Sequence, residues 1–150
     1  MGIKLESTLV GVAGEYLVAG ELSLRGYIAS ITLRNSRGID IIVSSSNGSQ
    51  SATLQVKTNS SGKPEWILNK KAETFVADNH LYVFVSLKEI GERPNFYIVP
   101  SNVVATFVTE SHSNWLSGLK RDGSPRKDSN MRKFLDTEGK YLEAWYLIDL

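Results

Sequence analysis

The sequence contains no cysteine, which removes disulfides, thiolate nucleophiles, iron–sulfur clusters and every zinc site that needs sulfur. A reducing cytoplasm fits that composition and is the expected location. Charge of one sign is also lacking: 17 Lys and Arg stand against 16 Asp and Glu, a net +1. A nucleic-acid partner would therefore have to be met by a local patch rather than by the field of the whole molecule. Only two histidines occur, His80 and His112, isolated from each other, and both read as structural or surface positions rather than metal ligands. No apolar run approaches the ~18 residues of a membrane span. The N-terminal MGIKLESTLVGVAG has no long apolar core ahead of a small-residue cleavage site, so no membrane association is expected. There is no repeat and no low-complexity linker. Residues 1–150 read as one domain, long enough for a single hydrophobic core and too short for two.

What the sequence does contain is a concentrated signal at Gly38 to Lys57, GIDIIVSSSNGSQSATLQVK. Two β-rich runs, Ile39 to Ser44 and Ser51 to Thr58, flank Asn47-Gly48, the strongest short-range signal for a two-residue type I′ hairpin. With Asn47 and Gly48 at the centre, paired positions sum to 95, which sets Asp40 opposite Gln55. Side chains two apart on a strand share a face, so Lys57 lies diagonal to Asp40 on that same face. Ile39, Ile41, Val43, Leu54 and Val56 point the other way. A longer symmetric loop would keep this register, and a bulge would shift it by one. A carboxylate, an amide and an ammonium are thus expected to converge. One reading of them is a site; the other is a cross-strand salt bridge from Asp40 to Lys57 with Gln55 bridging.

Upstream, Ser7 or Thr8 to Leu24 has helical spacing and stops at Arg25-Gly26. Projected at ~100° per residue, Glu15 falls in a stripe with Gly11, Val12, Val18, Ala19 and Leu22. It sits two turns in, where the helix dipole has faded, so it reads either as a site carboxylate or as a buried carboxylate paired with an Arg. Gly11 and Gly14 each cost the helix ~1 kcal/mol relative to Ala, which makes sense if the backbone packs closely on a sheet. Glu21 reads as solvent face. Tyr27 to Leu33 is expected to be a strand and Arg34 to Arg37 a turn.

The order helix, strand, strand, strand, supplying Glu15, Asp40, Gln55 and Lys57 in turn, resembles the PD-(D/E)xK nuclease superfamily with its restriction-endonuclease-like fold. In that superfamily a helix carboxylate, an Asp at the start of one strand and an acidic-x-Lys on the next form the site. The GID element and Gln55-Val56-Lys57 are most similar to the branch with Holliday-junction resolvases and type IV restriction nucleases, some of which carry Gln in the acidic position. The resemblance covers about Gly11 to Leu87. It implies an α/β domain with a mixed central sheet flanked by helices, and a Mg²⁺- or Mn²⁺-dependent endonuclease acting on DNA. Its implied metal ligands are Asp40, the Gln55 side-chain oxygen and the Val56 carbonyl, with Glu15 behind them directly or through water. Oxygen donors suit such a hard cation. Lys57 would position water or offset charge in the transition state. Gln55 departs from the pattern, because a neutral amide binds Mg²⁺ less well than a carboxylate. The alternatives are a resolvase-like enzyme, which would need a two-fold homodimer to cut both strands, and a non-catalytic nucleic-acid-binding or interaction module that kept the fold.

Beyond the site, Asn59 to Pro64 reads as a loop, with Lys63, Lys70 and Lys71 close after Lys57 as candidate phosphate contacts. A short helix is expected over Asn69 to Ala77, then a buried strand over Leu81 to Leu87, another strand over Phe96 to Val99, and a helix capped by Ser101. Trp115 and Trp145 read as packing residues, and Trp66 fits either packing or base stacking. Lys120 to Lys133 carries six basic residues and two acidic ones, a local +4. It reads as a loop with a short helix near Asn130 to Leu135. Lys120, Arg121, Arg126 and Lys127 are its candidate DNA contacts.

Overall fold

The computed structural model of the chain describes residues 3–33 and 37–150; of the turn expected at 34–37, all but Arg37 lies outside them. Helix α1 spans Ser7–Leu24, followed by β1 (Ile28–Ile31), β2 (Ile41–Ser44) and β3 (Ser51–Asn59). Then come β4 (Glu65–Asn69), a 3₁₀ turn (Lys70–Glu73), β5 (His80–Ser86), β6 (Asn95–Pro100), α2 (Ser101–Ser117) and β7 (Met131–Leu135). Five strands form one sheet in the order β1-β2-β3-β5-β6, and β4 pairs with β7 in a separate two-stranded sheet. Only β3 and β5 run parallel, so the central sheet is mixed. Among the described residues, no helix is long and apolar enough to cross a membrane.

Two apolar layers sandwich this sheet because β3 and β5 alternate their side chains. Ala52, Leu54 and Val56 of β3, with Leu81, Val83 and Val85 of β5, point to one face, where Val18 and Leu22 of α1 and the C-terminal Trp145 and Ile148 cover them. Tyr82 and Phe84 point to the other face and pack with Val104 and Val108 of α2 and with Trp66, Leu68 and Phe134 of the small sheet. All seven β5 residues are buried, as the continuous apolar run requires. At ~1.5–3 kcal/mol for each large apolar side chain fully buried, these two layers are the main stabilising term.

From Ile41 to Ser44 the β2–β3 register is the expected one, Ile41 facing Leu54 and Ser44 facing Ser51, each pair summing to 95, but the expected Asp40–Gln55 pair is not formed: Asp40 N donates to Leu54 O, one position off, as at a bulge. The turn type also differs from the expected one. Among the described residues Glu143 is the only non-glycine with positive φ, so Asn47 lacks the left-handed backbone a type I′ turn demands. Asn47 instead accepts hydrogen bonds from Ser49 N at 3.0 Å and Ser49 Oγ at 2.7 Å, while Ser45 N donates to Gln50 O. The loop is longer but symmetric, and symmetry keeps the pairing.

Several other expectations are corrected. Met131–Leu135 is a strand, not a helix, because Arg132 and Phe134 are buried in alternation against β4. The helix expected at Asn69 to Ala77 is one 3₁₀ turn, with Asn69 accepting a hydrogen bond from Lys71 N. Ser101 does not cap α2; its hydroxyl donates to Ala77 O and accepts from Ala77 N. Glu21 is not on the solvent face: it is buried and bridged by Arg25 and Arg93. The buried stripe of α1 is Val10, Gly14, Val18, Glu21 and Leu22, so its centre lies a step away from Glu15.

Gly14 is where α1 meets β3. A Cβ placed there would lie 1.7 Å from Thr58 Oγ1 and 2.8 Å from Thr58 Cβ, whereas one on Gly11 or Gly20 would meet nothing within 4 Å. Gly14→Ala is therefore expected to destabilise the protein by about 1–3 kcal/mol despite its better helix propensity, with partial rescue by Thr58→Ala. Gly11→Ala and Gly20→Ala are expected to stabilise by up to ~1 kcal/mol. Urea midpoints of the four variants against wild type check this, and a stabilised Gly14→Ala would show that the helix does not touch the strand.

Candidate active site

The ladder between β2 and β3 ends at Ile41, and a side chain continues it. Asp40 N donates to Leu54 O at 2.8 Å, and the Asp40 carboxylate then accepts the Val56 N–H through Oδ2 at 2.7 Å. A strand residue turns its N–H and C=O to the same edge, so the Val56 carbonyl faces the edge that Asp40 occupies. Burial pushes the Asp40 carboxyl above its ordinary range; the Val56 N–H and the Lys57 charge pull the other way without cancelling it. Among the described residues no ion pair within 4.0 Å joins Asp40 to Lys57, so the two are coupled through space rather than as the cross-strand salt bridge considered from the sequence.

Gln55 and Lys57 stand beside Tyr82 and Phe84 on the face away from α1. Both line a cavity of about 370 Å³, together with Arg37, Gly38, Leu68, Asn69, Lys71, Ala72, Phe75 and Tyr82. A second cavity of about 300 Å³ continues past Lys57, walled by Asn59, Ser61, Glu65, Trp66 and Lys133. Lys57 is common to both. Among the described residues, the wall of the first cavity has three cations, Arg37, Lys57 and Lys71, and no carboxylate. The buried Tyr82 phenol is pushed up to about 12, which keeps it protonated at neutral pH and removes it as a base.

The remaining sequence candidates are placed as follows. Glu15 is half-buried on α1, on the opposite side of the sheet from Gln55 and Lys57 and beside the Gly14–Thr58 contact. Lys70 lies outside the first cavity and lines a separate open recess with Lys71, Glu73, Thr74 and Asn130. Lys63, Lys120, Arg121, Arg126 and Lys127 do not line either cavity. Arg126 is held at the end of α2, donating to Trp115 O at 2.6 Å and lying over the Trp115 ring. Arg132 of the basic run is buried and neutralised by Glu73 at 3.3 Å, so its charge is internal. Trp66 is a packing residue whose indole N–H donates to Val85 O.

Sequence reasoning missed Arg37, Phe75, Tyr82 and Lys133. Arg37 adjoins the GID element and could have been found there. Lys133 could not, because its position depends on its pairing with Ile67 across the small sheet.

No family model matches the chain, and no curated protein does. Among solved structures it is similar to the bacterial homing endonuclease I-Ssp6803I, with a TM-score of 0.56 and 16% identity over 99% of this chain and 92% of that one. The chain has the restriction-endonuclease-like fold. A Holliday junction resolvase, Hjc from the archaeal hyperthermophile Archaeoglobus fulgidus, aligns over 84% of both chains with 13% identity and a TM-score of 0.47. The candidate residues of this chain lie on strand β3, at the Asp40 end of β2 and on the 3₁₀ turn before β5. Among the described residues, no three His, Cys, Asp or Glu side chains gather in a metal-binding group.

The raised Asp40 value has a sign that can be tested. A carboxyl that holds its proton more tightly when folded stabilises fully below its ordinary value of 3.8 and loses that contribution as pH rises through the folded value. Asp40→Asn keeps an oxygen for the Val56 N–H and removes the loss. The variant is expected to match wild type in acid and to exceed it at neutral pH without divalent cations. Asp40→Ala strands the N–H and is expected to cost about 1–3 kcal/mol. Urea titrations across pH read all three, and a pH-independent difference between Asp40→Asn and wild type would contradict the buried charge.

Proposed function

We propose that the protein is a divalent-metal-dependent endonuclease that hydrolyses DNA phosphodiester bonds at the Asp40, Gln55, Lys57 site. The observation that carries this reading is the pairing of two unlike environments at one strand. On one side of β3 a wall of three cations suits a phosphate backbone. At its edge a carboxylate, an amide oxygen and a peptide carbonyl offer only oxygen donors, the chemistry of Mg²⁺ and Mn²⁺.

These residues fit a hard cation by their donor chemistry, since the Asp40 carboxylate, the Gln55 amide and the Val56 carbonyl that faces the Asp40 edge all offer oxygen. Asp40, Gln55 and the Val56 carbonyl would hold the ion, with Glu15 able to act behind them through water. Bound there, Mg²⁺ would supply charge neutralisation at the phosphoryl oxygen and water activation at neutral pH. The protein's own contribution is positioning. The Val56 N–H fixes one oxygen of Asp40, and Lys57 places a compact positive charge where the phosphorus gathers negative charge in the transition state. Lys71 and Arg37 bind the phosphates on either side and orient the strand for attack.

One observation favours a second reading, a DNA-binding module that keeps the fold without catalysis: Gln55 leaves the donor set short of a carboxylate. A cleavage assay on plasmid and branched DNA with Mg²⁺ or Mn²⁺ separates the two. Wild type is expected to cut, Asp40→Asn and Lys57→Ala to lose activity by 100-fold or more, on the order of removing one key electrostatic group, and Gln55→Glu to lower the metal concentration required. DNA binding by wild type and Gln55→Glu with no cutting by either would leave the non-catalytic module.

A further inference from the structure

We infer that the cavity beside Gln55 and Lys57 receives a single nucleobase turned out of the DNA duplex, next to the phosphate held at Lys57. The inference rests on the DNA-directed reading above and deepens it to a substrate class: DNA with an unpaired or mismatched nucleotide.

The argument starts from the chemistry of the cavity wall. A phosphodiester backbone needs only polar and cationic contacts, and the rim supplies them in Arg37, Lys57 and Lys71. The floor is different. It is built from Leu68, Ala72, Phe75 and Tyr82, of which Leu68, Ala72 and Tyr82 are almost wholly buried. Such a floor leaves a charged phosphate without partners and suits a flat apolar group with a polar edge. A volume of about 370 Å³ is large enough to admit a small ring. Gln55 and Asn69 stand at the rim with amide groups able to read a base edge.

Two features keep the space open and its aromatic wall fixed. Gly38 lines the cavity at φ 75°, a backbone that side chains rarely adopt, and a Cβ there would stand in contact with Gln55 Oε1 at 3.6 Å and Phe75 Cε2 at 3.8 Å. Phe75 is braced by an edge-to-face contact with the His80 ring at 4.5 Å, and His80 in turn meets Tyr82 at 5.5 Å. His80 is itself buried and tied to Thr53 at 2.7 Å. A braced ring presents a stacking face without losing much freedom on binding, and extrusion is cheapest for a base that is already unpaired.

The test uses the intact protein in chelator, which stops cleavage, and two DNA duplexes that differ only in whether a central 2-aminopurine is paired or unpaired. Wild type is expected to bind the unpaired duplex roughly ten-fold more tightly, with a change in 2-aminopurine fluorescence confined to that duplex. Phe75→Ala, which removes the stacking face, and Ala72→Leu, which fills the floor, are expected to bring the ratio close to one, with thermal melts showing that each is folded. Equal affinity of wild type for the two duplexes overturns the inference while leaving the DNA reading intact, and so does a ratio retained in whichever variant folds. Tight binding of 2-aminopurine deoxynucleoside monophosphate alone, without preference between duplexes, overturns it in favour of a small-molecule site. Failure to bind either duplex overturns the DNA reading together with this one.

Discussion

The hydrogen bond from Val56 N–H to the Asp40 carboxylate is the interaction on which the arrangement of this site depends. It stands where a backbone ladder would otherwise run on, and by replacing a carbonyl with a carboxylate it brings a charge to the edge of β3. The substitution has a price in desolvation, visible in the raised Asp40 carboxyl. Folding alone gives no reason to bear it, since a backbone carbonyl would satisfy the same N–H at no charge. The divalent cation proposed at that edge would supply one.

The rest of the fold holds β3 from both sides so that this edge stays open and fixed. On one face Gly14 lets α1 lie directly on Thr58, and Val18 and Leu22 bury against Leu54 and Val56. On the other, Tyr82 and Phe84 of the wholly buried β5 make a stacked aromatic layer, with ring centroids 5.4 Å apart, onto which α2 and the β4–β7 sheet pack. Gln55 and Lys57 emerge from that second layer. Because the small sheet covers Phe84 and stops short of Gln55, it leaves the two cavities that flank Lys57. Packing thus decides where the polar side chains are exposed, and the site is the gap between two layers rather than a loop carried above them.

The parts of this arrangement set by short-range physics were legible in the sequence. Period-2 alternation through Leu54 to Lys57 and the small residues around Asn47-Gly48 gave the hairpin and its register from Ile41 to Ser44, which survived a wrong turn type because Ser45 and Gln50 also sum to 95. The continuous apolar run gave β5. What depended on contacts distant in sequence was not legible. Glu21 looked like a surface residue because its partners, Arg93 above all, arrive from another part of the chain. The β4–β7 pairing joins two five-residue strands, each too short to stand out, and the second read as a short helix. Phe75, Tyr82 and Lys133 belong to the same class: they reach the cavities only once long-range pairings are made. The candidate residues with catalytic chemistry were local, and those that shape the substrate space were not.

The central claim is that the oxygen atoms at the Asp40 edge of β3 hold a divalent cation. Anomalous scattering from crystals grown with saturating Mn²⁺ tests it most directly, because the ion's own signal locates it. The account predicts a peak at about 2.0–2.3 Å from the Asp40 carboxylate, the Gln55 side-chain oxygen and the Val56 carbonyl, and its loss in Asp40→Asn crystals. A map with no peak at that edge, with or without bound DNA, would contradict the claim and leave Asp40 as a structural carboxylate that ends a strand.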